Sequence, residues 1–238
     1  MDVLKAVLQA RGPGSPAVTE LLTLLGNVAP LDVHLCSVGG MATTELFAFL
    51  DANGFSHNLV SDEDALKHAA APPATPAARR TIYVFGNLLE SVMSHYRRGW
   101  AFHQATKTNG GAPLCEATFP KSFDEYVANA VDSFGYKHHV RNWLVRPVQY
   151  DILFVRYEMM FSPESAERII RFLVAGTDRE TNTAALLGAF PHKRDRQSRV
   201  SREHAETPIY RELQLALDRL PDYFVRTAGE IVELEDTA

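Results

Sequence analysis

The 238-residue sequence predicts an α/β fold, a parallel sheet flanked by helices on both faces. Runs rich in Val, Leu, Ile and Phe recur at 31–38, 81–85 and 151–157, as in the buried strands of a parallel sheet. Stretches of helical apolar spacing separate them, and strand alternating with helix leaves a parallel sheet as the economical arrangement. Neither an internal repeat nor a second core is visible, so one domain is expected over 1–238. It divides into an N-terminal helical cap (1–30), a core (31–173) and a C-terminal part (174–238) with a basic loop and helices.

In chain order, helical spacing at 2–9 and 18–25 flanks a breaker run, Gly12-Pro13-Gly14-Ser15-Pro16. Pro30 introduces the strand 31–38, which ends in Gly39 and Gly40; a helix over 43–50 follows, closed by Asn53 and Gly54. Residues 55–60 read as a strand, 62–68 as a helix, and 69–78, almost wholly Ala and Pro, as a mobile surface connection. After the strand 81–85 come a helix over 88–98 and a long loop over 99–120, of the kind that covers active sites. Helices over 122–131 and 136–144, the strand 151–157, an amphipathic helix over 163–173, a basic stretch over 192–202 and a helix over 209–220 complete the chain.

A formal charge of −5 argues against general nucleic-acid binding, which needs a surplus of Lys and Arg, so any anion site must be local. Cys36 and Cys115 are the only cysteines and have no metal-ligand spacing, so no metal is expected. With no long apolar run at the N-terminus and no segment of membrane-spanning length, the sequence reads as cytoplasmic and unanchored. Oligomeric state is left open.

The turn after the first strand carries the chemistry. Ser37-Val38-Gly39-Gly40-Met41-Ala42-Thr43-Thr44 joins a strand to a helix as a phosphate-binding loop does: glycines let amide groups turn inward, and the helix N-terminus adds partial positive charge. It reads also as a tight connection with a threonine N-cap. Gly-Lys-Ser/Thr is absent, so it is not a Walker A loop, and a P-loop kinase is disfavoured.

From this loop onward the chain resembles the sulfotransferases, which move a sulfuryl group from 3′-phosphoadenosine 5′-phosphosulfate to a hydroxyl or amine. Gly39 to Thr44 with Leu46 and Phe47 is similar to that family's 5′-phosphosulfate loop. Residues 81–96, TIYVFGNLLESVMSHY, resemble its 3′-phosphate segment. Residues 135–144, GYKHHVRNWL, followed by 151–158, DILFVRYE, resemble its helix-Trp-strand-Tyr-Glu stretch, and 164–173 the helix ending in Phe-Leu. Four weak motifs in the correct order cover residues 31–173.

The resemblance implies a P-loop-type sheet with 3′-phosphoadenosine 5′-phosphosulfate at its carboxyl edge and a small-molecule acceptor beside it. It assigns Gly39, Gly40, Met41, Ala42, Thr43 and Thr44 to the 5′-phosphate, Ser94 to the 3′-phosphate and Tyr157 to the adenine ring; Glu158 reads as organising the next turn. Departures fall on charged positions: the family's loop lysine falls on Gly40, its loop glycine on Ala42, its 3′-phosphate arginine on Gly86 and its proline on Leu88. Losing one charge-stabilising donor from a dry site costs about 2.7–4 kcal/mol of transition-state stabilisation. Lys193 and Arg194, with Arg196, Arg199 and Arg202, stand where a late basic loop could replace the arginine, or form a solvated basic face; Arg97 and Arg98 are lesser substitutes at a helix end.

For a general base, His57 in Ser56-His57-Asn58-Leu59 faintly resembles the Thr-His-Leu of cytosolic members, with Glu45 and His103 as lesser options. A sulfotransferase-like enzyme is therefore the expectation. The alternative is a non-catalytic protein of that fold binding a nucleotide or a protein partner.

Overall fold

The computed structural model describes residues 30–192, 200–201, 204 and 207–233. The helices expected at 2–9 and 18–25, and Lys193, Arg194, Arg196, Arg199 and Arg202, lie outside the described residues.

Strands β1 (Leu31–Ser37), β2 (Ala78–Phe85) and β3 (Ile152–Arg156) form where the apolar runs predict, and pair in parallel in that order. Ser37 is level with Val84, and Phe85 with Arg156, so their carboxyl ends meet at one edge. The last five residues of β1 and of β2 and the first four of β3 are all buried, so both faces are covered, and the buried apolar residues form one connected cluster. Tyr83 of β2 stacks on fully buried Trp143 at 4.7 Å between ring centroids.

Helix α1 (Thr43–Ala52) leaves β1; α2 (Leu88–Arg97), α3 (Ala101–Thr108), α4 (Phe123–Asn129) and α5 (Tyr136–Val145) lie between β2 and β3. Helices α6 (Pro163–Val174), α7 (Thr183–Ala189) and α8 (Arg211–Asp218) follow β3. Three of these starts have side-chain caps. Asn87 caps α2 by accepting from the Glu90 amide, Ser122 does the same for α4, and Ser162 caps α6 ahead of Pro163.

Four expectations change. Residues 55–60 are not a strand: beyond one bridge between Val33 and His57, the Asn58 side chain replaces the ladder, accepting from the Leu35 amide at 2.8 Å and donating to the Leu35 carbonyl at 3.1 Å. Residues 62–68 form turns, because Asp62 and Ala65 take left-handed φ values of 65° and 55° and the Asp64 carboxylate accepts from the Leu59 and Leu66 amides. The 69–78 connection is tied to the core: the carbonyls of Ala69, Ala70 and Pro73 accept from Trp143 Nε1, Asn142 Nδ2 and Tyr150 Oη, at 2.7, 2.9 and 2.7 Å. The 99–120 segment contains α3, which buries Gln104, Ala105 and Thr108.

Two elements went unforeseen, α7 and a fourth strand, β4 (Tyr223–Arg226), antiparallel to β3. Arg226 is 2% exposed; its Nη1 donates to the Trp143 and Leu144 carbonyls near the end of α5. No helix among the described residues is long and apolar enough to cross a membrane.

Candidate functional site

The loop after β1 is built by close approach. Ser37 Oγ accepts from the Gly39 amide at 3.0 Å, and Ser91 Oγ of α2 donates to the Gly39 carbonyl at 2.8 Å. Gly39, Gly40 and Ala42 all have left-handed φ, at 92°, 63° and 49°. A Cβ on Gly39 would lie 2.8 Å from Gln104 Nε2 and 2.9 Å from His95 Nε2, and one on Gly40 would press on Ser91 at 3.2 Å. The left-handed backbone at 40 favours glycine, and a lysine there would strain the loop. Ala42 keeps the conformation that favours glycine, so that departure leaves the loop's path intact.

Ala42 is the N-cap of α1, and no side chain caps the helix. The connection with a threonine N-cap is therefore not formed. The Glu45 amide donates to the Ala42 carbonyl at 3.2 Å, so the amides of Thr43 and Thr44 are the ones this helix start offers to an anion.

A cleft of about 760 Å³ opens on this loop. Gly39, Gly40, Met41, Ala42, Thr43 and Thr44 line it together with Ser94 and Tyr157, so the expected nucleotide residues of the described chain converge, and Glu45 and His103 line it as well. His57 is not among its lining residues. Its Nε2 lies 3.0 Å from Asp51 Oδ1, its Nδ1 2.8 Å from the Asn58 carbonyl, and its ring packs on Phe47.

Four fixed cations, Lys67, Arg97, Arg98 and Lys107, face this space against two carboxylates, Glu45 and Asp62. In a chain of net charge −5, that local excess favours an anion. Burial lowers the pKa of Lys67; Asp62 opposes the shift, and Lys107 and Arg98 add to it. Arg98 is lowered by burial and then by Arg97. Its Nε donates to the Ser94 carbonyl at 3.1 Å and its Nη2 to His95 Nδ1 at 3.2 Å.

Because His95 Nδ1 accepts, its ring proton sits on Nε2, which is buried and has no partner among the described residues. Burial first, and Arg98 next, hold this ring neutral, with its pKa far below the usual value. His68 Nδ1 donates to the Ser37 carbonyl at 2.7 Å, leaving the basic lone pair on Nε2; burial lowers its pKa to about 3.

At the carboxyl end of β2, a Cβ on Gly86 would lie 2.8 Å from Glu158 Oε2, while Glu158 Oε1 accepts from the Asn87 amide at 3.0 Å. The Glu158 carboxylate thus fills the space into which a side chain at 86 would project. The cations of the cleft come from other elements: Lys67 from the turn segment and Lys107 from α3. Sequence reading passed over both, because each meets the phosphate loop only through the tertiary fold.

No group of three or more His, Cys, Asp or Glu among the described residues is placed to hold a metal. Comparison of the chain with protein-family models, curated proteins and solved structures finds no match.

Proposed function

We propose that the chain is a P-loop-type sulfotransferase that binds 3′-phosphoadenosine 5′-phosphosulfate in this cleft and serves a small hydroxyl or amine acceptor. The observation that carries the reading is the convergence of an uncapped Gly39–Thr44 loop, four cations, Ser94 and Tyr157 on one space at the carboxyl ends of parallel strands. When bound, the donor supplies a sulfuryl group whose bond to the 5′-phosphate oxygen breaks as the acceptor oxygen or nitrogen attacks sulfur.

The residues divide the remaining work. Thr43 and Thr44 offer amide and hydroxyl donors where charge collects on the 5′-phosphate. Lys67 and Arg98 neutralise charge that the loop itself does not, since position 40 is a glycine. Ser94 hydrogen-bonds the 3′-phosphate, and the Tyr157 ring lies beside adenine. His68 takes the acceptor proton: its tautomer is fixed by the Ser37 carbonyl, and a nearby dianion raises its basicity. We place the base there in preference to His57, which faces Asp51.

The second reading, a nucleotide-binding protein without transfer, is favoured by one observation: glycine at positions 40 and 86 offers no side-chain cation to the cleft, and a side chain at either would have to displace Ser91 or the Glu158 carboxylate. An assay for adenosine 3′,5′-bisphosphate release with a panel of hydroxyl and amine acceptors separates the two. Acceptor-dependent release that drops about 10²-fold or more in His68→Ala supports transfer. Tight donor binding with no acceptor-dependent release supports the second reading.

A further inference from the structure

Helix α3 lies across the phosphate loop, and one of its side chains already touches it: Gln104 Nε2 donates to the Val38 carbonyl at 2.9 Å. Lys107 follows at i+3, on the same face of the helix. Across from it stands Asp62, whose Oδ2 lies 3.2 Å from Lys107 Nζ. The Asp62 side chain is 5% exposed, its other carboxylate oxygen accepts from the His68 amide at 3.3 Å, and its backbone takes a left-handed φ of 65°. A non-glycine residue held in that region is a local strain, and such strain concentrates at working sites. This carboxylate pairs with Lys107 and also acts on Lys67, whose ammonium feels Asp62, Lys107 and Arg98.

From this placement we infer that the ion pair with Asp62 holds Lys107 in reserve as a binding residue, the pair being the one that a ligand's anion replaces. A phosphate or sulfate group entering at Gly39–Thr44 draws Lys107 from Asp62 and becomes its partner. The exchange leaves the Asp62 carboxylate on the His68 amide, so the turn that carries Lys67 and His68 keeps its anchor. The device rests on the reading that the cleft takes such an anion; it does not require sulfuryl transfer. Lys107 then does from α3 what a lysine at position 40 would do from the loop.

Calorimetric titration of inorganic phosphate and of adenosine 3′,5′-bisphosphate tests this in the full chain. Asp62→Asn keeps an oxygen for the His68 amide and releases Lys107, and should tighten both ligands by about tenfold at low salt. Lys107→Met should weaken both by a similar factor. In the double variant the gain from Asp62→Asn should vanish, because the cation it frees is gone. If Asp62→Asn tightens binding equally with and without Lys107, or if both single variants only lower Tm and leave affinity unchanged, the exchange is wrong. Should phosphate respond as expected while the bisphosphate shows no advantage over AMP, the exchange stands and the sulfotransferase reading fails.

Discussion

Ala42 and Gly40 occupy neighbouring left-handed positions of one loop with opposite consequences. A non-glycine residue in that region costs about 1–2 kcal/mol, so Ala42→Gly should stabilise the fold by up to about 1 kcal/mol in urea unfolding, with anion affinity unchanged. A loss of stability would show that the Ala42 methyl contributes packing that outweighs its strain. Gly40→Lys restores a charge but adds a Cβ against Ser91, and should lower both stability and anion affinity; tighter binding would show that the loop tolerates a side chain. Thr43→Val with Thr44→Val removes two hydroxyls at nearly constant volume and should weaken adenosine 3′,5′-bisphosphate at least about tenfold by calorimetry. Unchanged affinity would place the anion elsewhere.

At the scale of elements, Asn58 shows why part of the chain was legible and part was not. Strands β1, β2 and β3 are legible as short runs rich in Val, Leu, Ile and Phe, because most of their residues are buried. Residues 55–60 look similar, yet the Asn58 amide replaces the next ladder bonds, and no periodicity reports a side chain standing in for a backbone. Removing it tests the assignment: Asn58→Leu leaves the buried Leu35 amide and carbonyl without this partner, which should cost at least about 2 kcal/mol in urea unfolding. A loss below about 0.5 kcal/mol would mean the segment repairs itself. The same blindness hid the cleft cations. The motif order from Gly39 to Tyr157 was readable locally, whereas Lys67 and Lys107 lie on a turn run and a helix whose approach to the loop depends on Asp62, Gln104 and the packing of α3. Position 86 could be read as a missing arginine but not as a space filled by Glu158.

For the molecule as a whole, four histidines are buried and held neutral: His34, His68, His95 and His139, each lowered chiefly by burial, with His68 and His139 at about 3. Unfolding returns each ring to water, where its pKa is 6.5, so between pH 6.5 and about 3 the unfolded chain binds more protons than the folded one. The stability these rings confer is complete above pH 6.5 and is lost as pH falls, by up to about 1.4 kcal/mol per pH unit for each ring. Urea unfolding should therefore show the protein at least about 2 kcal/mol less stable at pH 5 than at pH 7; equal stability would mean that these rings reach water or an acidic partner in the fold. The Ser37 carbonyl and Arg98 set the tautomers of His68 and His95, which also line the cleft, so two of the four acid-sensitive rings stand at the candidate site.

The central claim is that this cleft recognises a nucleotide by two separate phosphates, one at Gly39–Thr44 and one at Ser94. Calorimetric titration of the full chain with adenosine 3′,5′-bisphosphate and with AMP, which lacks the 3′-phosphate, tests it most directly. The account predicts that the bisphosphate binds at least about tenfold more tightly, and that Ser94→Ala removes much of that preference while leaving AMP unchanged. Equal affinity for the two nucleotides in the wild type would contradict it.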